Sequence, residues 1–284
     1  MSTALPTPDI GLAVRRGGRA ASPWIEKWAR LGYVANGLLY AMTGSLSFLA
    51  AFGSSDGKTV GSEGALREMH GMSFGSVLLA AMIVGLAGHA AWRLIQGTLD
   101  PEHEVRRAKF PLGQRVSFLA RGVFHVGLVV FSTQLLIGEA EPSGDDTKDL
   151  AWTVMSAHWL GTLLVGFLGA AVVVFALHEL YRAWSDDQLE KLDGRVRGTF
   201  RLVASVLGRF GTASRAIVFA VIGAYLIFAA ITLDPNQARG FGTSLSTLRH
   251  WSFGWLVLAV AGIGLVAYGL MQLVEARYRE ISPT

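Results

Sequence analysis

Two arginines lie inside long apolar stretches of the chain, where a charged side chain needs a partner. Arg121 and Arg215 each lie about two helical turns into such a stretch. A charge within hydrocarbon is costly unless it is paired or reaches the interface. The apolar stretch that follows ends on an acceptor, Glu179 in one case and Gln272 or Glu275 in the other. We predict a structural ion pair within each hairpin, with an anionic-lipid site or a substrate or ion pathway as alternatives.

Three histidines also lie within apolar stretches. Arg121 and His125 are four residues apart, so they share one face of a helix. His178 directly precedes Glu179, and His89 lies in an earlier stretch. Ionisable groups inside a membrane are functional candidates, and a proton relay or haem ligation would use them. Because no pair of histidines has a spacing typical of haem sites, we interpret them as satisfied polar core residues.

A second group of histidines raises the question of a metal site. His70, His158 and His250 each precede the glycine that opens a later apolar stretch, by five, three and four residues respectively. Each one-residue offset rotates a helical position by about 100°, so we expect interfacial hydrogen bonds rather than a metal-binding triad. The chain has no cysteine, and we find no phosphate-binding loop or hydrolase motif. We therefore expect no cofactor.

The apolar stretches have the length and composition of membrane spans. Only 16% of the residues are charged, whereas soluble domains carry about 25%. A helix of about 20 residues crosses a hydrocarbon layer of about 30 Å, and helices satisfy their own backbone groups within lipid. We predict six spans, at 32–52, 74–96, 116–138, 159–181, 211–233 and 253–274.

Basic residues predict the orientation of these spans. All but five of the 25 Lys and Arg residues fall in the N-terminal segment, around the second and fourth connections, or at the C-terminus. By the positive-inside rule, both termini are cytoplasmic in a bacterial plasma membrane. Residues 1–23 lack the apolar run of a signal peptide and are expected to form a disordered cytoplasmic tail. This distribution accounts for the net charge of +4 without a nucleic-acid partner.

The chain repeats one two-helix unit three times. The first stretch of each unit begins at an Arg, residue 30, 115 or 209, and the sixth position after it is Asn36, Arg121 or Arg215. In the second stretch, a ring residue and a polar residue recur four positions apart, as His89 and Arg93, Phe175 and Glu179, and Tyr268 and Gln272. In the first unit we thus expect Asn36 to pair with Arg93.

These patterns predict an all-α membrane protein with six transmembrane helices, arranged as three parallel tandem two-helix repeats in a pseudo-threefold bundle. After the tail of residues 1–23, we place the repeats at 24–110, 111–190 and 191–284. The positions where the copies differ, Asn36 in place of Arg and His89 in place of Phe or Tyr, are where we would first look for a site.

The chain resembles a known family at several of these residues. The resemblance is carried by Gly32-Tyr33-Val34-Ala35 after Arg30, by Gly64-Ala65-Leu66-Arg67, and by Gly85-Leu86-Ala87-Gly88 followed by Ala91-Trp92-Arg93-Leu94. It is similar to the actinobacterial membrane proteins catalogued as domain of unknown function 1206. That family implies three tandem two-helix repeats over residues 28–277, and it implies no activity.

The function predicted from the sequence is correspondingly general. We favour a non-enzymatic scaffold or accessory component of the plasma membrane. A channel or carrier for ions or small solutes, or a lipid-binding membrane protein, is the alternative; against a carrier, proline is absent from all six predicted spans. The expected partners are the bilayer, anionic lipids of the inner leaflet, and a second copy or another membrane protein.

Overall fold

The protein is helical throughout the residues that the structure describes. This computed structural model describes residues 10–53, 61–101, 105, 111–139, 146–157, 159–184, 189, 192, 194, 196–249 and 253–280. Its α-helices are α1 (Ile10–Ala51), α2 (Ser62–His70), α3 (Gly75–Leu99), α4 (Pro111–Ile137), α5 (Asp146–Ala157), α6 (Trp159–Trp184), α7 (Gly198–Thr232), α8 (Phe241–Arg249) and α9 (Gly254–Tyr278). One backbone bridge joins Leu192 to Arg279.

Six of these helices are long and apolar enough to cross a membrane, which confirms the six predicted spans. They are Glu26–Ala51 of α1, together with α3, α4, α6, α7 and α9. Two helices extend beyond the predicted ends: α7 begins at Gly198, and α1 begins at Ile10, within the segment that we expected to be a disordered tail. Large apolar side chains such as Phe167 remain exposed on the outer surface, as expected for a protein whose solvent is lipid.

Each repeat also contains a short helix that the sequence analysis did not predict. These helices, α2, α5 and α8, lie between the two spans of their repeat. They have 9 or 12 residues, too few to cross a membrane, and they fall in segments that we interpreted as connections. Glycine is required where the chain then turns into the next span, because a Cβ at Gly75 would lie 2.0 Å from the carbonyl oxygen of His70.

The six spans follow one another around a ring with threefold pseudosymmetry. The second span of each repeat packs along the first span of the next, giving the pairs α3–α4, α6–α7 and α9–α1. Within a repeat, α1 also packs on α3 and α7 on α9, whereas α4 and α6 make hardly any close backbone contact. Both the start of the first span and the end of α9 lie at one end of the ring, because Arg30 donates to the carbonyl oxygen of Ala276 at 2.7 Å. We call this the N/C end.

Glycines let the paired helices approach closely. A Cβ at Gly44 of α1 would lie 2.6 Å from the carbonyl oxygen of Gly262 of α9, and one at Gly169 of α6 would lie 2.9 Å from that of Gly223 of α7. Small residues of this kind are the usual means by which membrane helices pack against one another. The ring therefore positions the polar side chains of different repeats side by side.

Candidate functional site

One buried carboxylate connects three arginines from two spans of one repeat and the first span of the next. Glu179 of α6 accepts hydrogen bonds from Arg121 of α4, from Arg215 of α7, and from Arg182, one turn further along α6, at 3.0 Å. Arg121 and Arg182 bind Oε1, and Arg215 binds Oε2. The predicted pairing of Arg121 with Glu179 is present.

The prediction for Arg215 was wrong. We expected it to pair with Gln272 or Glu275 of its own repeat, but it binds Glu179 of the preceding repeat. The reason is the ring order, in which α7 packs directly against α6. On its other side, the Arg215 guanidinium lies 4.3 Å from the ring centroid of Tyr268, a cation–π contact that a desolvated arginine makes favourably.

Among the described residues, the hydrogen-bond partners of Arg93 are neutral side chains. Its Nε donates to Nε2 of His89 at 3.3 Å, its Nη1 donates to Oε1 of Gln96 at 2.9 Å, and its guanidinium lies over the rings of Tyr33 and Phe118. The side chain is buried. The expected pairing with Asn36 does not form, because Asn36 is engaged by α4 and α9 instead.

Asn36 belongs to a polar chain that runs across the ring. Its Nδ2 donates to Oε1 of Gln272 at 3.1 Å, and the Nε2 of Gln272 donates to Oε2 of Glu275 at 2.9 Å. Its Oδ1 faces Nε2 of His125 at 3.0 Å, while Nδ1 of His125 lies 2.7 Å from the carbonyl oxygen of Arg121. Both ring nitrogens of His125 thus face oxygen atoms, and a neutral imidazole can donate to one of the two.

Three buried N–H groups of these histidine and arginine side chains have no acceptor within the described part of the chain. Nε2 of His89 accepts from Arg93, so its ring proton is on Nδ1, and Nδ1 has no partner there. The same holds for Nε of Arg121 and Nε of Arg215. The rings of His89 and His125 lie side by side, 4.5 Å between centroids.

The site carries an excess of positive charge. We call Arg93, Arg121, Arg182 and Arg215 the arginine cluster; within the described residues, the one carboxylate that binds any of its members is Glu179. The other nearby carboxylate, Glu275, pairs with Arg279 at 3.4 Å. The groups lie side by side, because His89 accepts a hydrogen bond from Arg93, its ring packs against that of His125, and Nδ1 of His125 faces the carbonyl oxygen of Arg121.

The remaining predicted site residues lie at the edge of this network or outside the described residues. His178 is half-buried beside Glu179 on α6, and His70 is half-buried at the end of α2. His158 and His250 lie outside the described residues, so the structure does not test the histidine triad. Among the residues that are described, no group of three or more His, Asp or Glu is arranged to hold a metal ion.

Sequence reasoning missed Arg182 and Gln96. Arg182 was counted only as a basic residue near a connection, although its i,i+3 spacing from Glu179 places both on one helix face. The spacing between Arg93 and Gln96 carries the same signal.

Comparison with known proteins agrees with the three-repeat architecture. The sequence profile of the family described as Domain of Unknown Function (DUF1206) matches residues 31–100, 116–186 and 210–279. The chain is also similar to the uncharacterized protein YxxB of Bacillus subtilis (strain 168), with 28% identity over 262 residues that cover 92% of this chain and 93% of the relative. No solved structure matches. Neither comparison bears on an actinobacterial source.

Proposed function

We propose, for a chain that belongs to the family described as Domain of Unknown Function (DUF1206), that it is an integral membrane protein that binds an anionic group at the arginine cluster. The observation that carries the proposal is an imbalance of charge and hydrogen bonding: Arg121, Arg182 and Arg215 share Glu179, Arg93 has no carboxylate partner among the described residues, and three buried N–H donors lack an acceptor there. A phosphate or carboxylate supplies the missing negative charge and the missing acceptors.

The energetic argument concerns Arg93 most directly. A buried guanidinium without a carboxylate partner is strongly destabilising, because its lost hydration is not repaid. Arg93 is buried, and its hydrogen-bond partners are neutral. An anion bound beside it would offset that cost, and the planar fork of arginine suits two oxygens of one phosphate or carboxylate.

The distribution of basic residues supports a location in the inner half of a bacterial plasma membrane. Most of the Lys and Arg residues fall in the N-terminal segment, around the second and fourth connections, or at the C-terminus, so we place the N/C end in the cytoplasm by the positive-inside rule. Arg93 lies six residues before the end of α3, about 9 Å along the helix. The arginine cluster then lies near the depth of the inner-leaflet headgroups, where anionic lipids are concentrated.

The scaffold or accessory role favoured by the sequence differs from this proposal in one measurable respect. A cluster with a purely structural role needs no further anion, and removal of Arg93 then affects only stability. A second copy or another membrane protein as partner stays a prediction.

Substitution of Arg93 by Gln tests the proposal. Purified protein in a neutral detergent is titrated with glycerol 1-phosphate and, separately, with phosphatidylglycerol, and with glycerol and diacylglycerol as uncharged counterparts. Binding is followed by thermal shift and native mass spectrometry. We expect at least one of the two anions, but neither uncharged counterpart, to bind and stabilise the protein. Arg93→Gln should weaken that binding about 10- to 100-fold, the equivalent of one charge-assisted hydrogen bond.

The matched control is Arg201→Gln, which removes an exposed arginine of α7 and should leave binding unchanged. Without added anion, Arg93→Gln should not lower the midpoint of thermal unfolding, because Arg93 neutralises no carboxylate among the described residues. The proposal fails if neither anion binds the wild-type protein, or if Arg201→Gln weakens binding as much as Arg93→Gln.

A further inference from the structure

The second repeat differs from the other two in how closely its two spans approach. In the first repeat a Cβ at Gly32 would lie 2.5 Å from the backbone nitrogen of His89, and in the third a Cβ at Gly211 would lie 2.4 Å from that of Tyr268. The equivalent residue of the second repeat is Ser117. Backbones at such a short distance leave no room for a side chain between them. The serine therefore requires α4 to lie further from α6 than the spans of the other repeats lie from each other. This accounts for the scarcity of close backbone contact between α4 and α6.

The wider spacing exposes side chains that are buried in the other repeats. Phe124 of α4 is 45% exposed, whereas its counterparts Leu39 and Val218 are 1% and 0% exposed. Four more residues of the second repeat are exposed although their counterparts in both other repeats are buried. They are Ala120 on α4 and Leu168, Ala171 and Val174 on α6. These five residues define an apolar cleft between α4 and α6 that is open to the surrounding bilayer.

The cleft ends at the arginine cluster. Ala120 is followed directly by Arg121, and Val174 precedes Glu179 by five residues. The side chain of Arg121 is 13% exposed, compared with 5% for Arg215 on the far side of the same carboxylate. Arg182, toward the N/C end, is 14% exposed. One end of the cleft is therefore cationic and accessible, and the rest is apolar over about 16 Å from Leu168 to Glu179.

We infer that the cleft admits an anionic phospholipid laterally from the bilayer, with its phosphate in the arginine cluster, which it reaches past the partly exposed Arg121, and one acyl chain along Ala120, Phe124, Leu168, Ala171 and Val174. This inference rests on the proposed function and names its ligand as a lipid rather than a soluble anion. A charged end joined to an apolar channel inside a membrane matches an amphiphile in both charge and polarity. A soluble anion would gain nothing from the apolar part.

A substitution that fills the cleft tests whether the lipid binds there. Ala171→Trp places a large ring in the cleft and leaves every charged residue in place. The matched control is Leu163→Trp on the same helix, because Leu163 is exposed and so are its counterparts Val77 and Leu256, which marks a face turned to lipid in all three repeats. Affinities for phosphatidylglycerol and for glycerol 1-phosphate are measured by native mass spectrometry.

We expect Ala171→Trp to weaken phosphatidylglycerol binding at least tenfold and to change glycerol 1-phosphate binding less than twofold, with Leu163→Trp changing neither. Undiminished lipid binding by Ala171→Trp overturns the inference but leaves the proposed function intact. Equal affinity of the wild-type protein for phosphatidylglycerol and glycerol 1-phosphate also overturns the inference and leaves the proposed function intact. If the wild-type protein binds neither probe, the proposed function itself is wrong.

A second measurement does not depend on the folding of a variant. Phosphatidylglycerol with a photoactivatable group in one acyl chain is cross-linked to wild-type protein, and the labelled peptides are identified. Labelling should concentrate on residues 120–124 and 168–174 and decrease when unlabelled phosphatidylglycerol is added. Uniform labelling of the lipid-facing helices, without competition, would contradict the cleft as a binding site.

Discussion

Removal of the carboxylate of Glu179 should be among the most destabilising conservative substitutions in the protein. Glu179→Gln retains the shape of the side chain but leaves three guanidinium groups without their shared anion. The side chain of Glu179 is only 2% exposed and that of Arg215 only 5%. Breaking a buried ion pair by removing one partner costs about 3–5 kcal/mol, because the remaining charge stays buried and uncompensated. We expect a loss of unfolding free energy in that range.

Double variants separate charge imbalance from loss of packing. If the cost arises from an unpaired buried charge, Glu179→Gln combined with Arg215→Gln should be more stable than Glu179→Gln alone. The recovery should be partial, because the negative charge of Glu179 is still missing beside Arg121 and Arg182 in the double variant. Glu275→Gln serves as a control for the removal of a buried carboxylate with a more distant arginine partner, at 3.4 Å, and should be less destabilising.

The assay is reversible unfolding by urea in a neutral detergent, with helicity followed by circular dichroism. It must be run without added phospholipid, since a bound anion would replace part of the lost negative charge. The reasoning is refuted if Glu179→Gln lies within about 1 kcal/mol of wild type, or if the double variant is no more stable than the single one.

Three further predictions concern packing, the polar chain and orientation. Gly262→Ala should cost about 1–3 kcal/mol of stability, because its Cβ would lie 2.7 Å from the backbone of α1, whereas Gly127→Ala, with nothing within 4 Å, should not destabilise in the same unfolding assay. Asn36→Leu should lower the unfolding free energy by about 1–3 kcal/mol for each buried group left unsatisfied; unchanged stability would show that the polar chain through Asn36 does not stabilise the protein. In this cysteine-free protein, a cysteine at Asn236 should react with a membrane-impermeant maleimide on intact cells and one at Glu280 only after lysis; the reverse pattern would invert the proposed topology.

The spans and repeats were predictable from the sequence because both depend on local properties. A run of apolar residues must be long enough to cross the bilayer, and a repeated unit must repeat its small and polar positions. The short helices escaped prediction because nine or twelve residues of mixed polarity carry neither signal. Helix α2, for example, mixes Glu63 and Arg67 with the buried Leu66 and Met69.

Which helices are neighbours could not be read from the repeats. The assignment of Arg215 to Gln272 or Glu275 assumed that a helix pairs mainly within its own hairpin. In the structure, each second span packs along the first span of the next repeat as well, and Arg215 reaches Glu179 across that contact. Spacing along one helix defines a face but not the helix that the face meets, so the pairing required the three-dimensional arrangement.

The differences among the three copies explain why the site is confined to one sector of a pseudo-threefold ring. The first and third repeats have closely packed glycines where the second has Ser117 and Ala171, and these side chains leave no room for α4 to close against α6 to the same extent. The same repeat supplies Glu179, Arg121 and Arg182, while the neighbouring repeats contribute Arg215 and Arg93 from helices that remain closely packed. A ring held together only by packing would gain from closing all three hairpins, because burial of apolar area is favourable. The second repeat forgoes that burial at the place where buried positive charge exceeds negative, which is the arrangement expected of a binding site.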